Sequence, residues 1–298
     1  MASMILLSPS RMAGSLAVLG LLLAGVSSAH AEESYPDAKR IVSVGGSVTE
    51  ILYALGEQDR VVARDSTSLY PQEAMAKPDV GYMRQLSAEG IISQNPDLIL
   101  VESGAGPADT IAILQAGSVP LVSIPTPPTT ESVGPRIRAV GEAVGKAEDA
   151  EKLAAEVEAR MAAVAEEIDA LPGEKKRVLF ALSLANGRIM AAGQNTAADA
   201  MIGLAGGVNA VQGVDGYKPL TDEAVIEAAP QAILIMNNAG RHVTAEEAFA
   251  IPVLKSSPAG QSGTLIAMDG LYLLGLGPRT PEAARELAAK LYPDQLKP

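Results

Sequence analysis

The sequence has no cysteine and no tryptophan, and its 298 residues include only two histidines. Without cysteine the chain cannot form a disulfide, a thiol nucleophile, or a cysteine-ligated zinc or iron–sulfur site. Two histidines leave little for a histidine-based metal site or a Ser-His-Asp triad. The 23 Lys and Arg residues are outnumbered by 35 Asp and Glu residues, which argues against a nucleic-acid partner. Any chemistry therefore depends on tyrosine, arginine, carboxylates, the backbone or a bound group.

The first 31 residues have the pattern of a secretory signal peptide. Arg11 precedes an apolar run from Met12 to Val26, and residues 29–31 (AHA) form a small-x-small cleavage site. No later segment reaches about 18 uninterrupted apolar residues, so we expect no membrane insertion. A lipid anchor requires a cysteine at the new N-terminus. Because the chain has none, we expect it to be free in the periplasm after export.

Short apolar runs alternate with helical stretches in two parts of the chain. The strands predicted in the first part are Ile41–Val44, Arg60–Ala63, Leu98–Glu102 and Pro120–Ile124. Those predicted in the second part are Arg177–Leu182, Ala232–Met236 and Thr264–Met268. Strands that alternate with helices indicate βαβ units and parallel sheets. The predicted fold class is therefore α/β, with two similar lobes, parallel-rich sheets and a ligand cleft between the lobes.

A long helical stretch separates the two parts. From about Ile137 to Ala170 the chain is rich in Ala and Glu, and no Gly or Pro occurs between Gly145 and Pro172. We expect one long rigid helix that joins the lobes and limits their closure to a small angle. The predicted domains are the signal peptide (1–31), an N-terminal lobe (32–136), the bridging helix (137–172) and a C-terminal lobe (173–298).

An internal repeat relates the two lobes. Residues 86–100 match residues 220–234 at a constant offset of 134 positions. A Gly-Tyr pair precedes each copy, which places Tyr82 and Tyr217 just ahead of matching segments. In each copy a Ser or Thr in N-cap position begins a helix whose first turn is acidic.

Three further segments resemble a known family. They are residues 63–68 (ARDSTS), 79–91 (DVGYMRQLSAEGI) and 190–201 (MAAGQNTAADAM). Over residues 39–293 the sequence resembles periplasmic substrate-binding proteins of the helix-bridged class, which serve ATP-driven importers of cobalamin, siderophores and haem. The three segments resemble the haem-binding branch. The resemblance implies a carrier rather than an enzyme, with two partners: haem, and a permease dimer with its ATPase at the inner membrane.

The resemblance also implies that Tyr82 is the axial ligand of the haem iron, and that an arginine of the opposite lobe hydrogen-bonds its phenolate. Our candidate for that arginine is Arg241, in the stretch 237–242 (NNAGRH). Tyrosine is a known haem ligand, and it is the available one because cysteine is absent and His242 is the only histidine expected after cleavage. Arg84 is placed to bind a propionate.

Tyr70 and Tyr217 are further candidates for contact with the ligand. Tyr70 could stack on the porphyrin or cap the lobe, and Tyr217 could line the opposite wall. Members of the family that the sequence resembles often carry a histidine shortly after the strand that matches Arg177–Leu182. Residues 183–187 of this chain read SLANG, so this position provides no histidine.

Glu89 and Glu223 occupy equivalent positions in the repeat. They are either acids that complement a helix dipole or docking acids, one at the tip of each lobe. We favour docking, because in the class that the sequence resembles such glutamates pair with permease arginines. Glu50, near the start of another helix, is interpreted as a dipole acid only.

Alternatives to a haem carrier come from the same class and from other classes. A ferric-siderophore or cobalamin carrier belongs to the same class. A secreted α/β hydrolase requires a Gly-x-Ser-x-Gly turn followed by a histidine, and the sequence contains no such pentapeptide. A structural or adhesive role would leave the repeated Gly-Tyr pair unexplained.

Overall fold

The computed structural model describes residues 34–237 and 242–297, and the first lobe contains a four-stranded parallel sheet. The strands are β1 (Ile41–Val44), β2 (Val61–Arg64), β3 (Leu98–Glu102) and β4 (Leu121–Ile124), in the order β2-β1-β3-β4. Every residue of β1 is buried, as is typical of a parallel strand covered on both faces. All four predicted strands are present within one residue of their expected bounds. The predicted signal peptide lies outside the described residues.

Three α-helices belong to the first lobe: α1 (Gly46–Ala54), α2 (Ala88–Ile92) and α3 (Ala108–Gln115). Two short 3₁₀ helices, Gln72–Ala76 and Thr130–Ser132, complete it. The N-terminus of α1 lies at the carboxyl end of the sheet. There the backbone N–H and the hydroxyl of Ser47 both donate to Oε1 of Glu102, at 3.0 and 2.6 Å. A carboxylate at the end of β3 thus accepts from one of the free backbone donors of the helix N-terminus.

The second lobe contains a six-stranded mixed sheet. Its strands are β5 (Arg177–Ser183), β6 (Ile189–Ala192), β7 (Val208–Asn209), β8 (Tyr217–Leu220), β9 (Ala232–Asn237) and β10 (Leu265–Asp269). The order is β10-β9-β5-β6-β8, and β7 pairs with β5. The pairs β10–β9, β9–β5 and β5–β7 are parallel, whereas β6 is antiparallel to β5 and β8. The predicted strands correspond to β5, β9 and β10.

Helices cover this sheet and follow its strands. They are α6 (Ala197–Leu204), α7 (Asp222–Ala228), α8 (Ala245–Phe249), α9 (Pro252–Ser256), α10 (Pro258–Ser262), α11 (Gly270–Leu274) and α12 (Thr280–Leu291). A 3₁₀ turn, Ala185–Gly187, connects β5 to β6. No helix among the described residues is long and apolar enough to cross a membrane.

Of the bridging helix predicted over 137–172, the stretch between Gly145 and Pro172 forms one long helix as expected, and the residues before Gly145 belong to a second helix. The second helix is α4 (Val133–Ala143), and the long one is α5 (Ala147–Asp169). The chain turns at Gly145, which has a φ of 74°, and a Cβ added there would lie 2.4 Å from Cβ of Pro36. This left-handed, crowded position suits glycine alone, so the break depends on a contact with the start of the described chain.

Helix α5 reaches from one lobe to the other. At its N-terminal end Nζ of Lys146 lies 3.3 Å from Oε1 of Glu57 in the first lobe. At its C-terminal end Ile168 packs against Gly206 of the second lobe. One buried hydrophobic cluster extends from β1 and β3 through α4, α5 and α12 to β5 and β9. A stiff helix embedded in a shared core favours small relative movements of the lobes.

The internal repeat is present in the backbone as well as in the sequence. The predicted N-caps Ser87 and Thr221 accept hydrogen bonds from the backbone N–H groups three residues later, at 3.3 and 3.2 Å. Asn95 and Ala229, again 134 positions apart, both have positive φ, of 48° and 40°. The two lobes therefore share one helix start and one chain reversal before the next strand.

Candidate functional site

A cavity of about 600 Å³ lies between the two lobes. Binding sites for small molecules commonly have volumes of about 300–1,000 Å³. The first lobe contributes several hydroxyl groups and the larger polar side chains Tyr82, Arg84, Glu102 and Arg136. The second lobe contributes glycines and the apolar side chains of Ala197, Met236, Leu271, Leu274 and Leu276. Among the described lining residues, the second-lobe wall is therefore apolar, whereas the first-lobe wall combines these polar groups with Leu69, Met83 and Pro128.

Tyr82 projects from a loop that the backbone holds in place. Gly81 before it has a φ of 97°, which glycine adopts at low cost. The carbonyl of Gly81 accepts from the N–H of Ser66 at 2.9 Å, and that of Tyr82 accepts from Gln85 at 2.7 Å. The Tyr82 side chain is 43% exposed, and its hydroxyl has no hydrogen-bond partner among the described residues. The phenol is thus available to a ligand in the cavity.

Arg84 lies two residues beyond Tyr82 and also lines the cavity. It is close enough to Tyr217 of the second lobe to affect its titration. Burial raises the pKa of Tyr217, and the Arg84 charge and a hydrogen bond with Thr196 partly offset that rise. The Tyr217 ring meets Phe180 edge to face, with 6.4 Å between ring centroids. Tyr217 does not itself line the cavity, but it lies close enough to Arg84 for the guanidinium charge to lower its pKa.

Tyr70 lies next to the cavity rather than in it. Its ring stacks on the guanidinium of Arg279, with Cζ 3.4 Å from the ring centroid. Together with Tyr272 and other residues it lines a smaller pocket of about 250 Å³. Of the two roles considered for Tyr70, this position favours capping the lobe over stacking on a ligand.

Arg241 lies outside the described residues. The strand that leads towards it, β9, ends at Asn237, and Met236 lines the cavity. His242 is described and exposed. No group of three or more His, Asp or Glu side chains within the described ranges is placed to hold a metal ion.

Glu89 and Glu223 are exposed in the first turns of α2 and α7, as the repeat predicted. The pKa of Glu223 is lowered by its own backbone N–H and by the Thr221 hydroxyl. Both carboxylates lie on helices separate from the cavity-lining residues. Their docking role stays a prediction.

Arg136 is a site residue that the sequence analysis missed. It is only 3% exposed, and its Nη1 donates to the carbonyls of Gly275 and Leu276 at 2.7 and 3.0 Å and to Ser47 Oγ at 3.2 Å. Burial lowers the pKa of Arg136, and the nearby carboxylate of Glu102 partly offsets this. The available signal was an arginine on the apolar face of a helix, beside positions 133, 137 and 140.

Glu50 also differs from its expected role. Glu50 is 4% exposed and forms a bidentate ion pair with Arg279 of the second lobe. Its role is therefore not limited to complementing the dipole of α1. Close to it, Leu271 Cδ1 lies 2.4 Å from where a Cβ on Gly46 would be. These contacts close the cavity floor, where α1 meets the segment 270–279.

The comparisons agree with this architecture. The model of a family described as "Periplasmic binding protein" matches residues 41–271. Among curated proteins, the uncharacterized ABC transporter substrate-binding lipoprotein YvrC of Bacillus subtilis (strain 168) is 27% identical over 263 residues, which cover 88% of this chain and 82% of YvrC. The vitamin B12-binding protein of Vibrio campbellii is 28% identical over 203 residues, which cover 68% of this chain and 72% of that protein.

Solved structures of periplasmic haem-binding proteins superpose well. RhuT from Roseiflexus sp. RS-1, in apo form, has a TM-score of 0.81 and 39% identity, and the match covers 87% of this chain and 99% of RhuT. BhuT in complex with two haems has a TM-score of 0.81 and 36% identity, and the match covers 86% of this chain and 99% of BhuT. The two-lobed structure, the cavity between its lobes and the family match together show that this chain belongs to the periplasmic binding protein family, as a substrate-binding protein of ABC importers and not an enzyme.

Proposed function

We propose that this protein captures haem in the cavity between its lobes and delivers it to an ABC permease with its ATPase at the inner membrane. The observation that carries the proposal is the position of Tyr82. Among the described residues its phenol has no hydrogen-bond partner, and it projects from a hydrogen-bonded loop at a cavity that Arg84 also lines. A phenolate is an established axial ligand of ferric haem, and a guanidinium binds carboxylates through a planar pair of donors.

The two walls of the cavity suit the two parts of a haem. A porphyrin face is apolar and packs against Leu271, Leu274 and Met236 of the second lobe. The propionates are anionic and are matched by Arg84 and by the hydroxyls of the first lobe. Cobalamin carries amide groups around its ring, which an apolar wall would leave without hydrogen-bond partners. This contrast supports haem over cobalamin as the proposed cargo.

Arg241 is proposed as the residue that hydrogen-bonds the Tyr82 phenolate from the opposite lobe. A positive charge beside a phenolate stabilises the anion that binds iron. The resemblance on residues 79–91 and 190–201 supports this assignment, and the chain leads towards Arg241 from Met236, which lines the cavity.

Delivery is proposed to use Glu89 and Glu223, one at the tip of each lobe.

We also propose that the mature protein is free in the periplasm. Acyl anchoring of an exported lipoprotein needs an N-terminal cysteine, and the sequence has no cysteine. The relative YvrC is named a lipoprotein, so the two proteins would differ in their attachment to the membrane.

Cobalamin is the second candidate cargo, because vitamin B12-binding proteins are among the relatives. The test is a titration of periplasmic protein with ferric haemin and, in parallel, with cyanocobalamin. We expect haemin to saturate the protein with a Soret spectrum of tyrosinate ligation, and cyanocobalamin not to compete. Tighter binding of cyanocobalamin would overturn the haem assignment.

Replacement of the proposed ligand makes the test specific to the site. Tyr82→Phe removes only the phenol oxygen, so we expect loss of the tyrosinate spectrum and at least about tenfold weaker binding, equivalent to 1.4 kcal/mol. Tyr70→Phe is the matched control, because the Tyr70 ring faces Arg279 rather than the cavity. An unchanged spectrum in Tyr82→Phe would refute Tyr82 as the ligand.

A further inference from the structure

Two isoleucines in equivalent positions of the repeat are exposed. Ile92 at the end of α2 is 43% exposed, and Ile226 in α7 is 66% exposed. They are 134 positions apart, which is the offset of the repeat. The residue before each is fully buried: Ile91 and Val225 are both 0% exposed. Each copy thus places one apolar residue in the core and its neighbour in solvent.

Each exposed isoleucine lies three residues after one of the exposed glutamates. Residues at positions i and i+3 of a helix lie on the same face, so Glu89 is next to Ile92 and Glu223 is next to Ile226. We call each pair a tip patch. The first lobe has one tip patch on α2, and the second lobe has one on α7.

The tip patches do not serve the fold of the lobes. A single exposed apolar residue is ordinary on a protein surface, but the same residue at the same position of both lobes is a repeated feature. Isoleucine has a lower helix propensity than Lys, Glu or Leu, so an exposed helical position does not favour it for stability. Ile113 on α3 shows the ordinary case, because it is 62% exposed and lies outside the repeated segment.

We propose that Ile92 and Ile226 are two equivalent apolar anchors that bind the permease dimer of the importer. The inference rests on the proposed delivery function and adds residues to it. A patch present twice on one chain fits a partner that presents the same surface twice, as a two-fold dimer does. Because each patch joins a carboxylate to an apolar side chain, its counterpart is a basic side chain beside an apolar recess.

The apolar anchors change how the proposed docking should depend on salt. An ion pair alone on an exposed surface contributes little to affinity, and salt screens it. An apolar side chain that enters a recess contributes affinity that salt does not screen. Docking through the tip patches therefore retains much of its strength at high ionic strength, whereas docking through Glu89 and Glu223 alone would not.

The test measures docking separately from haem binding. Haem-loaded protein is added to the cognate permease and ATPase, reconstituted in liposomes of phosphatidylethanolamine and phosphatidylglycerol, and the concentration for half-maximal stimulation of ATP hydrolysis is determined. We expect Ile92→Ser and Ile226→Ser each to raise this concentration several-fold, and the double variant to raise it more than tenfold. Ile113→Ser is the matched control and should leave it unchanged.

Each outcome decides one question. If the double isoleucine variant stimulates like the wild type while the double variant Glu89→Ala and Glu223→Ala does not, the anchors are refuted and the delivery function stands. If neither double variant differs from the wild type, docking uses another surface and the inference is also refuted. A changed haemin titration or thermal midpoint in the isoleucine variants would show a role in the fold instead. Failure of the wild type to bind haemin would refute the proposed cargo itself.

Discussion

The guanidinium of Arg279 binds the carboxylate of Glu50 through two hydrogen bonds, Nε to Oε1 at 3.0 Å and Nη2 to Oε2 at 2.8 Å. The two residues are 229 positions apart and belong to different lobes. The backbone N–H of Arg279 adds a third bond to Oε1, at 3.2 Å. Tyr70 and Tyr272 flank the guanidinium, at 3.4 and 5.1 Å from their ring centroids. This ion pair joins the lobes at the base of the cavity.

Glu50→Gln should destabilise the protein by about 3 kcal/mol, since it leaves a largely buried guanidinium without its counter-charge. The measurement is the free energy of unfolding in urea. Glu148→Gln is the matched control, because Glu148 forms an exposed pair with Lys152 on α5 and should give no measurable change. A loss below about 0.5 kcal/mol for Glu50→Gln would contradict a structural role for the pair.

The ion pair also shows what the sequence can and cannot predict. The strands Ile41–Val44 and Leu98–Glu102 follow from local apolar runs, and the helix starts at Ser87 and Thr221 follow from local capping patterns. The partner of Glu50 is 229 positions away, and no local pattern indicates it. Contacts of this kind become visible only when the lobes are placed together.

The missed secondary structure has similar causes. Strand β8 is short, lies at the sheet edge and contains Pro219, so its alternating pattern is weak. The break between α4 and α5 falls at Gly145, which the sequence marks as the boundary of the uninterrupted stretch, but the contact of Gly145 with Pro36 joins distant segments and no local pattern shows it. For the site, Tyr82 and Arg84 line the cavity and their roles in binding stay predictions, whereas Arg136 and Glu102 were missed because their contacts join distant segments.

Gly46→Ala should disturb the cavity floor. An added Cβ would lie 2.4 Å from Cδ1 of Leu271 and 2.9 Å from the carbonyl oxygen of Thr67, so the Leu271 side chain and the backbone at Thr67 must both shift. We expect a loss of about 1–3 kcal/mol in unfolding free energy, although alanine is the better helix former. Haemin binding should weaken too, because Gly46 and Leu271 both line the cavity.

A matched glycine separates this clash from helix propensity. Gly203 in α6 has no atom within 4 Å of its added Cβ, so Gly203→Ala should stabilise the protein by about 0.5–1 kcal/mol. Gly46→Ala should cost less unfolding free energy in a Leu271→Ala background than in the wild type, because the clashing methyl groups are absent there. Equal effects of the Gly46 and Gly203 variants would contradict the packing explanation.

Arg84→Ala should weaken haemin binding by removing charge-assisted hydrogen bonds to a propionate. Such bonds contribute about 1.5–3 kcal/mol, which corresponds to roughly ten- to 150-fold in affinity. Haemin dimethyl ester, which has no free propionate, should bind the wild type and the variant alike. If Arg84→Ala weakened both ligands equally, Arg84 would act on the loop or on the porphyrin rather than on a carboxylate.

Tyr217 should make the folded protein sensitive to alkali. Burial raises the pKa of Tyr217 in the folded protein above the ordinary value of 10.0. At pH values between 10.0 and this higher pKa, the folded state keeps a proton that the unfolded state has lost. The corresponding stability is present below pH 10 and is lost as the pH rises towards the folded-state pKa. Tyr217→Phe should therefore show a smaller loss of unfolding free energy between pH 9 and pH 11.5, measured by urea titration.

Arg84 provides the cross-check on that prediction, because its charge lowers the pKa of Tyr217 and so opposes the effect of burial. In Arg84→Ala the pKa of Tyr217 in the folded protein should rise further. The pH range over which only the folded state keeps the proton then becomes wider, so the loss of stability at alkaline pH should be larger than in the wild type. Combining Arg84→Ala with Tyr217→Phe should abolish this added loss, since no phenol remains to titrate. An Arg84→Ala profile identical to that of the wild type would show that the two side chains do not interact across the lobes.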